Sequence, residues 1–61
     1  MDTEILNLTQ AAELLGVHAE TVKRHARAGS MPAAKVGGKW RFVRSQLLAW
    51  VERKAERNMD R

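Results

Sequence analysis

A mainly α fold with one small β-hairpin, in the order helix, helix, hairpin, helix, is what this sequence predicts. Three observations carry it. Apolar residues recur at helical spacing over two short stretches, each closed by a glycine, at Gly16 and Gly29. The period then switches from 3.6 to 2 on either side of Gly37-Gly38, the signature of a tight hairpin. Helical spacing returns with Leu47, Leu48, Trp50 and Val51.

Taken in order, residues 1–7 read as a short polar arm whose Ile5 and Leu6 can pack on the body. Thr9 is the expected N-cap of the first helix, its hydroxyl accepting from a first-turn amide. Gln10 to Leu15 are all good helix formers, and Ala11, Ala12 and Leu15 share an arc with Leu8. Small side chains there let a second helix approach closely. Gly16 ends the helix, and Val17 is the expected apolar plug of the turn. His18 is a weak cap for a second helix over Ala19–Ala28, which buries Val22 and Ala26 and carries Glu20 in its first turn. Glu20, Lys23, Arg24 and Arg27 fall on the opposite arc. Gly29 stops it and Pro32 prevents its resumption.

In the hairpin, Ala34 and Val36 alternate with Ala33 and Lys35, and Trp40 and Phe42 alternate with Lys39 and Arg41. One face is expected to be apolar and the other basic, with Val36, Trp40 and Phe42 lying against the helices, because a two-stranded ribbon is marginal alone. The last helix is expected from about Ser45 to Arg57, with residues 58–61 fraying. The domain reading is an arm over 1–7, a folded unit over 8–57 and a loose end over 58–61.

With 61 residues the chain supports one domain close to the lower limit for a self-sufficient core. It has no cysteine, so neither a disulfide nor a thiolate metal site is expected. Its apolar runs are too short to span a membrane. No basic start leads into an apolar stretch, so no signal peptide is expected, and the expected location is cytoplasmic. His18 and His25, with only Glu20 near them, make a poor metal set. Ser30 and Ser45 have no activating base or paired acid at a motif spacing, and Glu52 and Glu56 read as helix surface, so no enzyme is expected. Trp40 and Trp50 point inward by periodicity, as core rather than as stacking platforms for single-stranded bases. The last helix balances acids and bases and is expected to close the core, not to lie on a membrane.

The formal charge of +4 is unevenly placed. Residues 1–17 sum to −3, residues 18–44 to +6 and residues 45–61 to +1. Such asymmetry favours a polyanionic partner. A basic helix beside a basic ribbon tip suits a duplex groove and its flanking phosphates. The expected major-groove residues are His18, Glu20, Thr21, Lys23, Arg24 and Arg27. Lys23 and Arg24 would read bases, Arg27 would share readout and positioning, Thr21 would meet a base edge or a phosphate, and Glu20 could accept from a cytosine amine. The expected wing and backbone residues are Lys35, Gly37, Gly38, Lys39, Arg41 and Arg44, the glycines allowing close approach to a phosphate backbone.

These residues also carry a resemblance. Leu8-Thr9-Gln10-Ala11-Ala12-Glu13-Leu14-Leu15-Gly16-Val17 is followed by Thr21-Val22-Lys23-Arg24, then by Gly29 to Gly37, then by Trp40-Arg41-Phe42 and Leu47-Leu48-Ala49-Trp50-Val51. The ordered set resembles the excisionase-type branch of the MerR-like winged helix-turn-helix domains over residues 8–51. The resemblance implies that the helix from Thr21 to Ala28 enters a major groove and that the hairpin at Gly37-Gly38 is the wing. It implies an excisionase that bends double-stranded DNA and directs a site-specific recombinase, or a regulator of a phage or mobile element. A promoter regulator working with RNA polymerase and no recombination role is the alternative. A protein-interaction adaptor using the same basic face is the second. His18 stands where a small hydroxyl cap is usual, and His25 where an aromatic ring is common. Full MerR-type regulators continue past the wing into a long dimerising helix and an effector segment. This sequence stops a few residues past Trp50, so no small-molecule effector, cofactor or coiled-coil dimer is expected. A single module covers a small footprint, about 600–1,000 Å² of protein surface, so cooperative self-association on DNA is expected.

Overall fold

The structure, a computed structural model, describes residues 4–59, with side chains described through residue 55. The element order is β1 (Ile5–Leu6), α1 (Leu8–Leu15), α2 (Ala19–Ala28), β2 (Ala34–Val36), β3 (Lys39–Val43) and α3 (Arg44–Met59). This is the mainly α, helix-helix-hairpin-helix arrangement of a winged helix-turn-helix, with one strand more than the sequence pattern announces. The three strands form an antiparallel sheet in the order β1-β3-β2.

Asn7, not Thr9, caps α1. Its side-chain oxygen accepts from the Gln10 backbone N–H at 2.8 Å, and the Gln10 side-chain oxygen accepts from the Asn7 N–H at 2.9 Å. The reciprocal pair satisfies two amides that the first turn leaves orphaned. Thr9 therefore lies inside the helix, exposed. At the far end Gly16 adopts φ 71°, ψ 32°, a left-handed position that suits a residue without Cβ. The Val17 N–H then donates back to the Ala12 carbonyl at 3.1 Å, closing a Schellman motif. α2 ends in the same way at Gly29, and the Ser30 N–H donates to the His25 carbonyl. Two helices stopped by the same device are thus joined by three residues. His18 caps α2 without a side-chain hydrogen bond.

Val17 does not plug the turn; it is 44% exposed. Its side chain stands at the rim of an apolar cleft with Leu15 and Val22 instead of filling the turn. The core is instead built from Leu6, Ala11, Ala12, Val22, Ala26, Met31, Phe42 and Leu47, with Trp40 and Trp50 packed against it half-buried. α1 packs on α2 and on β3, and α3 packs on β3. Of the expected α3 stripe, Leu47 is fully buried, while Leu48 and Val51 stay more than a third exposed. α3 begins at Arg44 and continues through Met59, so the part of the expected loose end that is described is helical; residues 60–61 lie outside the described residues.

The hairpin corrects one expectation. Gly37 and Gly38 both have positive φ, 60° and 81°, as a two-residue turn of type I′ requires. Such a turn pairs Val36 with Lys39, Lys35 with Trp40 and Ala34 with Arg41. Residues directly opposite on antiparallel strands share a face. Trp40 and Phe42 face the core, so Lys35 is on the inner side and Val36 on the outer one. Val36 is accordingly 62% exposed, beside Lys39 and Arg41, and does not lie against the helices. Lys35 thus leaves from the strand face opposite to that of Lys39 and Arg41, although all three side chains border one cleft beside α2.

β1 is the added strand. Leu6 pairs with Phe42 and Ile5 with Val43, and the Arg44 N–H donates to the Glu4 carbonyl at 2.9 Å. Residues expected only to lean on the body are therefore stitched into it, with Leu6 buried. The pairing also puts β3 in the middle of the sheet, where it packs on α1.

Candidate nucleic-acid interface

α2 sorts the expected readout residues onto three directions. Val22 and Ala26 face the core. At 100° per residue, Glu20, Arg24 and Arg27 point directly away from them, and all three are exposed. Lys23 stands on the flank toward the hairpin, half-buried. Thr21 and His25 stand on the other flank, toward α3, where both line an apolar cleft. His18 is exposed at the N-terminal end. The structure thus brings Glu20, Arg24 and Arg27 together as one projecting arc, and separates Lys23 and Thr21 from it on opposite sides.

The Lys23 flank opens into a cleft of about 490 Å³ between α2, the start of α1 and the hairpin. Lys23 lines it with Lys35, Lys39 and Arg41, and the α1 end contributes Asn7 and Thr9. Lys35 enters the cleft from the inner face of the hairpin beside Trp40, its ammonium 5.4 Å from the centre of that ring, while Lys39 and Arg41 enter from the outer face. Arg41 is oriented by its own backbone: one guanidinium nitrogen donates to the Trp40 carbonyl at 2.9 Å. Four cations, one from α2 and three from the two strands of the hairpin, thus line one polar trough. The Gly37-Gly38 turn carries no side chain at the tip, and Lys39 next to it is exposed at the edge of the cleft.

Arg44 is placed differently from its expected role. Its guanidinium lies 3.9 Å from the Glu4 carboxylate and its backbone joins the β1 ladder, so it secures the N-terminal strand. His25 is held by neighbours: its Nδ1 is 3.1 Å from the Ser30 hydroxyl, which also donates to the His25 carbonyl, and its ring meets Trp50 edge-on with centroids 6.3 Å apart. A ring packs here, in the role an aromatic would fill. Residues that sequence reasoning passed over are Asn7 and Gln10, which set the start of α1 at the mouth of the cleft. Their spacing of three, polar amide to glutamine, was the available signal.

Among the described residues no group of three or more His, Cys, Asp and Glu could hold a metal ion. No described helix is long and apolar enough to cross a membrane.

The chain is similar to uncharacterized proteins of Mycobacterium bovis and Mycobacterium tuberculosis, each 38% identical over 55 residues. The match covers 90% of this chain and 48% of each relative, so the chain spans about half the length of the curated relatives it matches. No solved structure gives a significant match. The family described as a helix-turn-helix domain matches residues 5–55, which takes in β1, both helices of the turn, the hairpin and most of α3. With that span and this architecture, the chain belongs to the helix-turn-helix domain family, in its winged form.

Proposed function

We propose that the chain binds double-stranded DNA with sequence preference, α2 in the major groove and the hairpin astride the neighbouring backbone. The observation that carries this is the convergence of Lys23 with Lys35, Lys39 and Arg41 on one trough directly beside the exposed Glu20-Arg24-Arg27 arc. A major groove admits one helix, and a phosphate strand runs along its edge where the trough lies. Arg24 and Arg27 are then the base readers, with Glu20 available to a cytosine amine. Lys23 serves the backbone more than the bases, a change of role that its flank position motivates. Thr21, turned toward α3, contributes at most to the groove edge, and His18 stands near it at the deep end of the helix.

The finer reading is an excisionase-type protein that bends DNA at several adjacent sites for a site-specific recombinase. It rests on the ordered likeness over residues 8–51 and on the small footprint of one winged module, which favours cooperative binding of neighbouring copies. A promoter regulator acting with RNA polymerase is the alternative within the same contacts. Footprinting on the DNA flanking the chain's own coding region and on nearby attachment sites, with the bend measured by circular permutation, tests both levels. Protection of clustered sites with a bend supports the excisionase reading; one unbent promoter site favours the regulator. Equal affinity for all duplexes, or none, overturns sequence-specific binding altogether and leaves the basic face to an acidic protein.

A further inference from the structure

The flank of α2 that faces away from the hairpin is apolar. A cleft of about 330 Å³ opens there between the helix-turn-helix and α3, with Leu15, Val17 and Met31 on one wall and Trp50 and Val51 on the other. A second cleft of about 370 Å³ lies across the Trp50 ring, against Pro32 and Ala49. The half-buried indole is therefore a ridge between two open hollows. Val17 and Val51 keep 44% and 37% of their surface in solvent beside it.

The charged groups at these hollows are of one sign. Lys54 lines the first and holds its ammonium 5.4 Å from the centre of the Trp50 ring. Arg53 lines the second. His25 stands edge-on to the same ring, and among the described residues lining either hollow none is acidic. Glu52 falls on the opposite side of α3, about 200° around from Trp50.

Exposed aliphatic surface around a Trp, rimmed by cations, has the composition of an interaction site: aromatic residues and Arg are enriched at interfaces, and Trp leads among anchor residues. We infer that this face docks an acidic amphipathic helix of a partner protein. Two of its apolar side chains, three or four positions apart, straddle Trp50, and its carboxylates face Lys54 and Arg53. A second copy presenting the same face would bring further cations and no carboxylate to Lys54 and Arg53, which charge disfavours. The Glu20-Arg24-Arg27 arc stays open beside the occupied face, so a partner seated here and a duplex on α2 are compatible. The inference does not depend on the DNA reading.

The test uses the full chain. A display library of random 16-residue peptides is selected against it, and the winning peptide is synthesised and titrated into ¹⁵N-labelled protein. Expected are acid-rich winners with paired apolar positions, and shifts at Val17, Val51 and the Trp50 indole N–H while Gly37 and Gly38 stay still. Lys54→Gln with Arg53→Gln should weaken the peptide about tenfold, as should Val51→Asn, the size expected for loss of about 1.4 kcal/mol at an anchor. The same variants, shown folded by circular dichroism, should keep duplex affinity within about threefold. The inference is overturned if nothing is enriched, if winners lack acidic bias, if shifts fall on the Lys39 side, or if the substitutions leave affinity unchanged. It is also overturned if Val17 and Val51 shift on concentrating the chain alone, which would make a second copy the occupant.

Discussion

Arg24 and Lys39 are both exposed cations, yet their surroundings assign them different work. Arg24 projects from the middle of α2 on the arc opposite Val22. A side chain with a planar fork there can pair with a guanine edge, a contact worth about 1–3 kcal/mol of discrimination. Arg24→Ala should reduce the ratio of preferred-site to random-site affinity by roughly 5- to 100-fold, read by competition binding. An unchanged ratio would remove Arg24 from readout. Lys39 sits at the hairpin tip in the trough. Lys39→Ala should weaken every duplex alike and flatten the salt dependence by about one unit of slope. Asn7 is a residue of stability rather than binding: Asn7→Ala deletes one half of the reciprocal cap and should cost about 1 kcal/mol in a denaturant melt. Asn7→Ser, which keeps an acceptor, should restore most of it.

At the scale of elements, the bounds and buried face of α2 were legible in the sequence, but the place of Lys23 on its flank was not. Val22 and Ala26 are four apart, Gly29 is a stop signal, and Pro32 bars continuation, so the bounds Ala19–Ala28 follow from local chemistry. The hairpin's turn was equally plain, but the facing of β2 was not drawn from it. A two-residue turn forces Val36 opposite Lys39, and the apolar character of Val36 argued for the wrong side. β1 was not legible, since two residues carry no period and its signal lies in the partner strand, Phe42 and Val43. The trough could not be read either, because it joins residues 16 positions apart, Lys23 and Lys39, through packing. The strand has a measurable consequence. A chain begun at Leu8, where the helical pattern starts, loses the Leu6–Phe42 pairing, the Glu4–Arg44 contacts and the Asn7 cap together. It should melt well below the 61-residue chain or fail to fold, as followed by circular dichroism. An unchanged melting curve would show that β1 merely rests on β3.

For the whole molecule, size sets the margin. At about 0.05–0.15 kcal/mol per residue, a chain of this length holds roughly 3–9 kcal/mol in reserve. Leu47 is fully buried where α3 meets the sheet. Leu47→Ala should cost about 2–5 kcal/mol, a large share of that reserve, and lower the melting temperature by about 4–8 °C per kcal/mol in a thermal scan. The exposed Leu48→Ala, one residue on, should cost under about 1 kcal/mol. Charge is likewise a property of the whole: of the +6 of residues 18–44, +5 is gathered on α2 and the hairpin and the rest is Arg44 at the start of α3, while the N-terminal third is acidic. If the four trough cations each displace one counterion, log K should fall against log salt with slope near −4. A slope shallower than about −2 would mean that the trough does not hold the backbone.

The two indoles stand in separate neighbourhoods, Trp40 beside Lys35 at the rim of the trough and Trp50 between the two hollows near α3. With no tyrosine in the chain, ultraviolet emission comes from these two rings almost alone. Replacing either with Phe turns the other into a private lamp for its own surface, so that occupancy of one face can be watched optically while the other is filled.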